Sequence, residues 1–453
     1  MNTKEKTRTG DYLFDNHTLF ILIAPLIAEQ LLATIVGLAD SIMVASVGEA
    51  AVSGVSLVDS IMLLLINIFT ALATGGAVVA GQYLGRHDPK KACEASNQLV
   101  WFVTLISIVI MALVYAGKYF ILHIVFGQIE PDVMAHADTY LTIVAASIPF
   151  IALYNAGAAI FRSMGNSKIS MQVSIIMNII NIGGNALLIY VFHMGTAGVA
   201  IPTLVSRIVA AVLMVILLCN QELVLHMEKT FRYKPDWALV RRILYIGVPN
   251  GMENSMFQLG KIIVLSLVST FGTYAIAANA VSNVVASFQT LPGVAMSLAV
   301  TTVISRCIGA GEYEQVEYYT RKLHKITYLC MWVTIAIILA AMPLILWAYQ
   351  LSDVTAQTAS RIMLLHGLCA AVIWPIAFTL PGTLRSAGDV RFSMIVSVTS
   401  MWICRIVFSY LLGQGLQMGV FGVWVAMILD WCVRACCFMI RYKRGKWKTK
   451  QVI

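Results

Sequence analysis

The chain has 453 residues, 59% of them hydrophobic and 12% charged, against roughly 25% charged in ordinary soluble domains. That balance excludes a soluble globular protein. Its apolar runs, each about twenty residues or more, are long enough to cross a bilayer as helices, and the short alternating segments of a membrane β-barrel are absent. The excess of 31 Lys+Arg over 22 Asp+Glu points in such a chain to orientation and attraction to anionic lipid, not to nucleic acid.

The chain opens with "MNTKEKTRTGDYLFDNH", too long and polar for the leading region of a signal peptide, and the apolar run behind it is too long for a signal core, so the first helix is expected to be retained. Residues 1–16 read as a cytoplasmic segment. Six spans follow at 17–45, 52–80, 97–123, 134–161, 168–192 and 196–219, then a basic linker at 220–240. Six more lie at 241–270, 275–305, 322–349, 357–384, 392–413 and 419–441, before a basic tail at 442–453. The expected fold is an all-α polytopic membrane protein with an amino lobe (17–219) and a carboxyl lobe (241–441) around a central cavity.

Basic residues orient these spans. Lys4, Lys6 and Arg8 precede the first helix, Arg86, Lys90 and Lys91 follow the second, and Arg162 and Lys168 follow the fourth. Lys229, Arg232, Lys234, Arg241 and Arg242 fill the middle, Arg306, Arg321, Lys322 and Lys325 follow the eighth helix, and Arg385 and Arg391 follow the tenth. All fall on one side, whereas "GQIEPDV" and "STFGTYA" on the other contain no Lys or Arg. Both termini are therefore expected in the cytoplasm, in a plasma (inner) membrane. The nine cysteines lie in apolar segments or beside basic loops and read as packing residues.

The halves repeat. Pro25 and Glu29 match Pro249 and Glu253 at an offset of 224, as do Gly48 and Gly272, Gly85 and Gly309, and Gly198 and Gly422. "FRSMGNSKISM" at 161–171 matches "LRSAGDVRFSM" at 384–394 at 223. Six helices per half give both halves the same topology, so a two-fold axis along the membrane normal should relate them. That is the plan of transporters whose lobes rock around a central cavity.

Ionisable residues inside such spans mark function by default. Asp40 stands in "IVGLADSIMV", about 23 residues or roughly 34 Å along the first helix. Asn178, Asn181 and Asn185 share one face of the fifth helix, Asn185 roughly 25 Å up, and Thr203 lies about seven residues from the outer end of the sixth. Asp40, Asn181, Asn185 and Thr203 thus converge in depth as oxygen ligands suited to Na⁺, or, through the carboxylate alone, to H⁺. The plainer alternative is that the amides bond neighbouring helices and the threonine its own backbone. Asn178 and Asp59 are possible helpers. Glu253 and Glu29 could face the cavity and attract a cationic substrate, and Phe257, Gln258, Met256 and Trp374 could line it. A core or lipid-facing role is the alternative for each. Asp430 and Arg434, spaced i, i+4, should neutralise each other, and Arg207, Arg405 and Lys261 should find carboxylates or carbonyls.

The stretch "AEQLLATIVGLADSIMVASVG", the later "GQYLGRHDPKKA", the paired "RSMGNSK" and "RSAGDVR" and the 6+6 plan resemble the multidrug and toxic compound extrusion (MATE) family of the MOP flippase superfamily. The resemblance covers nearly the whole chain. It implies an antiporter exporting small organic compounds, cationic or amphiphilic, in exchange for H⁺ or Na⁺, monomeric and without a cofactor beyond that ion. It implies that Asp40 couples, with Asn181, Asn185 and Thr203 beside it. Some members carry an aspartate where Asn185 stands. The carboxylates that some place in the carboxyl lobe have no match, Glu253 being about a turn away.

An anionic-lipid or lipid-linked saccharide flippase is the rival, kept open by Arg207, Arg405 and Lys261. An enzyme is not expected: the sequence has no HExxH and no phosphate-binding Walker loop, and the latter absence also excludes intrinsic ATP driving. His87 and Asp88 read as a turn before Pro89.

Overall fold

The computed structural model describes residues 12–127, 129–227, 234–450 and 452–453. The orientation residues Lys4, Lys6, Arg8, Lys229 and Arg232, and Gln128 of "GQIEPDV", lie outside the described residues. Twelve spans follow one another: α1 Asn16–Ala45, α2 Glu49–Gly85, α3 Pro89–Ala116, α4 Pro131–Ala145 with Ile148–Ser163, α5 Ser167–Val191, α6 Ala197–Leu218, α7 Trp237–Ser269, α8 Thr273–Gly309, α9 Tyr313–Ala340, α10 Asp353–Ser386, α11 Val390–Gly415 and α12 Gly419–Lys443. Among the described residues ten helices are long and apolar enough to cross a membrane, eleven with α4, whose halves meet at 49°. The remaining one, α7, has 33 residues, but Arg241, Arg242, Glu253 and Lys261 dilute its apolar character.

Several helices start earlier than hydropathy implies, because they run on past the bilayer edge, where charged side chains meet water. α3 begins at Pro89, capped by Asp88, whose Oδ1 accepts from the Lys91 amide at 3.1 Å, and α9 begins at Tyr313. Asp15 and Asp236 cap α1 and α7 in the same way, as short polar side chains do for the orphan amides of a first turn. Gly48 and Gly272, the repeat-equivalent residues before α2 and α8, have φ of 139° and 99°, a backbone region that favours glycine.

The amino lobe packs around buried Val58, Phe69, Leu99, Leu141 and Met214, and the carboxyl lobe around Trp374, Trp424 and Trp431 on one side and Val300, Tyr319 and Leu384 on the other. The first helix of each half crosses over. Leu19, Leu22 and Leu26 of α1 belong to the apolar cluster of the carboxyl lobe, and Leu239, Ile243 and Ile246 of α7 to that of the amino lobe.

The lobes join at the end that carries the α2–α3 and α8–α9 loops. Gln82 Nε2 donates to the Ser386 carbonyl at 2.7 Å, Arg306 Nε to that of Ser163 at 3.1 Å, and Arg242 to the Tyr83 hydroxyl. Glycine permits this approach. A Cβ on Gly85 would lie 2.1 Å from the Arg306 carbonyl oxygen, and one on Gly309 1.9 Å from that of Gln82. In lipid, where burial between helices gains little, such backbone proximity and interhelical hydrogen bonds hold helices together.

Candidate cation site and interior cavities

Asp40 lies five residues before the end of α1, half-buried. On α5, Asn181 and Asn185 are one turn apart and buried. α6 is drawn close because Gly184 leaves room for the Pro202 ring; a Cβ there would sit 2.7 Å from Pro202 Cβ. That contact sets Thr203, next in sequence, against Asn181.

The polar atoms meet at bonding distance. Asn185 Nδ2 donates to Asp40 Oδ1 at 2.8 Å, while Asn185 Oδ1 is buried without a partner. Asn181 bridges Asp40 and Thr203, and only one of its two amide orientations satisfies both neighbours when Asp40 is ionised. In one, its nitrogen donates to Thr203 Oγ1 at 3.1 Å and its oxygen faces the carboxylate. In the other, its nitrogen donates to Asp40 Oδ1 and Oδ2 at 2.9 and 3.1 Å and its oxygen accepts from Thr203 Oγ1 at 3.1 Å. The four residues singled out from the sequence are therefore one cluster. Asn178 is not in it; its Nδ2 donates to Ser174 Oγ on its own helix at 3.3 Å.

A second layer surrounds the cluster. Asp59 of α2 accepts from the Tyr140 hydroxyl at 2.9 Å, and Arg207 donates to Ser147 Oγ at 2.7 Å, within electrostatic reach of both Asp59 and Asp40. Tyr140 and Ser147 come from the two sides of the α4 bend, which no sequence periodicity signals. With both carboxylates ionised, two carboxylates and one guanidinium would leave one negative charge in this cluster.

The carboxyl lobe is built differently. A cavity of about 230 Å³ is lined by Glu253, Phe257, Trp374, Phe378, Arg385 and Arg434, among others. Glu253 and Arg385 form an ion pair at 3.3 Å. Trp374 stacks on Phe378 with ring centroids 5.0 Å apart. Met256, Gln258 and Glu29 do not line this cavity. Glu29 is buried, accepts from Ser170 Oγ at 2.7 Å and Tyr154 at 3.5 Å, and pairs with Arg162 at 3.7 Å. Glu29–Arg162 and Glu253–Arg385 are repeat-equivalent pairs. Each glutamate is paired within its own lobe: Glu29 is away from the cavity, whereas Glu253 lines it with its charge largely neutralised by Arg385.

Asp430 and Arg434 pair at 2.9 Å, as their spacing predicts. Lys261 and Arg405 depart from expectation: neither forms an ion pair among the described residues. Both instead lie over the Phe257 ring, at 5.1 and 5.2 Å from its centroid. They line a second cavity of about 270 Å³ with Asn279, Asn283 and Trp424.

A model of the family described as MatE matches the chain twice, over residues 25–187 and 249–411. The chain belongs to the MatE family. Both ends of the two matches differ by 224 residues, the period of the repeat. This MatE protein is similar to the uncharacterized transporter YisQ of Bacillus subtilis (strain 168), 28% identical over 443 residues that cover 96% of this chain and 95% of that one. It is similar to the probable multidrug resistance protein NorM of Thermotoga maritima, 25% identical over 95% of this chain and 93% of that one. Its fold matches the outward-facing structure of a multidrug resistance MATE transporter of the MOP superfamily, with a TM-score of 0.89 and 19% identity over 96% of both chains. The twelve-helix, two-lobed architecture expected from the sequence is that of this solved structure.

Proposed function

We propose that the protein is a secondary-active exporter that exchanges H⁺ or Na⁺ for amphiphilic organic compounds across the plasma membrane, its two lobes rocking about the central cavity. With both termini in the cytoplasm, the joined end is the cytoplasmic one and the structure is the outward-facing state. The observation that carries this reading is the unbalanced charge around Asp40. A carboxylate left uncompensated at membrane depth costs about 2.5–3.5 kcal/mol or more, and a proton or Na⁺ removes that cost.

The Asn181 amide supplies a mechanism. With Asp40 ionised and empty, the amide nitrogen points at the carboxylate and donates to it. With Asp40 protonated or bound to Na⁺, the amide oxygen turns inward and accepts the proton's hydrogen bond or ligates the ion. Asn185 Oδ1, buried and unpartnered, and Thr203 Oγ1 complete a set of neutral oxygens. Loading and unloading thus switch the hydrogen bonds that tie α1 to α5 and α6. Moving one such charge through 100 mV releases about 2.3 kcal/mol, a roughly fifty-fold accumulation.

Cationic compounds belong to this reading through Glu253 at the edge of the first cavity, with Arg385 neutralising most of its charge. The unpaired Lys261 and Arg405 favour a second reading, a flippase or exporter for lipids or saccharides with anionic head groups. Asp40→Asn tests the first. In proteoliposomes with imposed ΔpH or ΔNa⁺, the variant should remain folded and inserted but lose gradient-driven export. Export with normal gradient dependence would remove Asp40 from the mechanism.

A further inference from the structure

The repeat relates the second carboxyl-lobe cavity to the amino-lobe cation cluster position by position. At the offset of 224, Asp40 corresponds to Val264, Asp59 to Asn283 and Thr203 to Met427, and all three counterparts line that cavity. Asn181 corresponds to Arg405. The offset is 223 where α5 and α11 begin, at Ser167 and Val390, and 224 where each reaches its last π-helical turn, Leu187–Val191 and Leu411–Gly415. The extra residue of α11 is taken up in a π-helical turn at Met401–Val407, which contains Arg405. π turns of this kind are frequent at functional sites.

The same place in the fold therefore carries opposite chemistry in the two lobes. Where the amino lobe has two carboxylates to one guanidinium, the carboxyl-lobe cavity is lined by Lys261 and Arg405 and by no carboxylate. Arg434 adds a third cation beside Phe257, at 5.6 Å, but Asp430 neutralises it, just as Arg385 neutralises Glu253. Two positive charges remain. Arg405 is 9% exposed and its Nε has no hydrogen-bond partner, an orphan donor of a kind that proteins rarely leave without purpose. Asn279 Oδ1 accepts from Trp424 Nε1 at 3.0 Å, which leaves the Asn279 NH₂ group as a further donor toward the cavity. The face of Phe257 holds both cations in place.

We propose that this cavity is an anion site: Lys261 and Arg405 hold the carboxylate, sulfonate or phosphate of an amphiphilic substrate, whose apolar part rests on Trp424, Val423 and Met427. Arginine is suited to the two-oxygen geometry of such groups, and lysine serves as a point charge. A volume of about 270 Å³ takes a head group and one ring, the remainder extending between the lobes. The head group belongs to a soluble organic anion or to an anionic lipid. The proposal rests on the exporter reading for its physiological meaning, but binding at equilibrium needs no ion gradient, so the two fail separately. Asp40→Asn should abolish driven export and keep anion binding.

The test uses the full chain in nanodiscs of neutral phosphatidylcholine and a fluorescent pair sharing one ring: dansylglycine, an anion, and a dansyl derivative ending in trimethylammonium. Wild type should bind the anion at least ten-fold more tightly than the cation. Lys261→Gln and Arg405→Gln should each weaken the anion about ten- to hundred-fold, as expected for loss of a charge-assisted hydrogen bond, and leave the cation unchanged or tighter. Lys261→Arg and Arg405→Lys should recover most of the affinity, which a merely structural role would not predict. A wild type that does not bind dansylglycine, or neutral variants that bind it as wild type does, overturns the site. Should the Gln variants fail to fold, wild-type binding of dansylglycine alone decides. Repeating the titration with 20% phosphatidylglycerol in the disc separates the sources: displacement of dansylglycine by the lipid identifies the head group as lipid, and undisturbed binding identifies a soluble anion.

Discussion

Gly309→Ala places a methyl carbon where the lobes touch. The added Cβ would lie 1.9 Å from the Gln82 carbonyl oxygen and 2.6 Å from Gln82 C and Cα. All three are backbone atoms of a long helix and cannot swing aside as a side chain would. Restoring an ordinary contact of about 3.4 Å requires the seam to part by roughly 1.5 Å. The Gln82–Ser386 hydrogen bond, at 2.7 Å, then stretches to about 4.2 Å, beyond any useful length. Overpacking costs about 1–3 kcal/mol and each lost hydrogen bond about 0.5–1.5 kcal/mol. The closed seam should therefore lose roughly 2–4 kcal/mol, and the open form should rise about thirty- to several-hundred-fold in proportion. A cysteine at the buried Ser305, in a chain cleared of reactive native thiols, reports the opening through its rate of modification by an impermeant reagent applied at the joined end, the cytoplasmic side on the proposed orientation. Gly183→Ala, whose methyl would meet nothing within 4 Å, serves as control. A Gly309→Ala protein that folds and labels within about three-fold of that control would refute the argument that glycine-mediated backbone contact holds this end shut.

The ion-paired glutamates give a contrast. Glu29→Gln, which unbalances a buried carboxylate held by three partners, should lower thermal stability by about 1–3 kcal/mol, and Glu253→Gln, whose carboxylate is held by Arg385 alone, by less, as followed by thermal unfolding in detergent. Glu253→Gln should also weaken export of cationic compounds more than of neutral ones; equal loss for both would return Glu253 to bracing Arg385. Topology is checked with tags: those at residues 130 and 272 should be reached from outside and one between 220 and 227 from the cytoplasm, and reversed accessibility would overturn the orientation.

The amino-lobe cluster was legible because its members are polar where everything around them is apolar, and because helical rise converts sequence position into depth. Asp40, Asn185 and Thr203 could be matched in height without knowing how their helices packed. Tyr140 and Ser147 could not, since the turn between the halves of α4 decides which way each faces. The Glu253–Arg385 pair spans 132 residues, and no local pattern links its ends, although the repeat makes it the twin of Glu29–Arg162. Lys261 and Arg405 were expected to find carboxylates or carbonyls on the general rule that buried charges are paired. The structure gives them an aromatic face instead, and that breach of the rule is what singles out the second cavity.

The crossing of α1 and α7 has a mechanical consequence. Each helix is rooted in the far lobe, α1 by Leu22 and α7 by Ile243, and carries a charged residue of its own lobe, Asp40 or Lys261, some eighteen residues further along, about 27 Å of rod. Tilting such a rod by a few degrees about its root moves its tip by one or two ångströms, the distance that makes or breaks the bonds around Asp40. On the proposed exporter and anion-site readings, a cation arriving at one tip and a substrate at the other would pull on two arms pivoted in each other's foundations, and neither lobe would turn without the other registering the load.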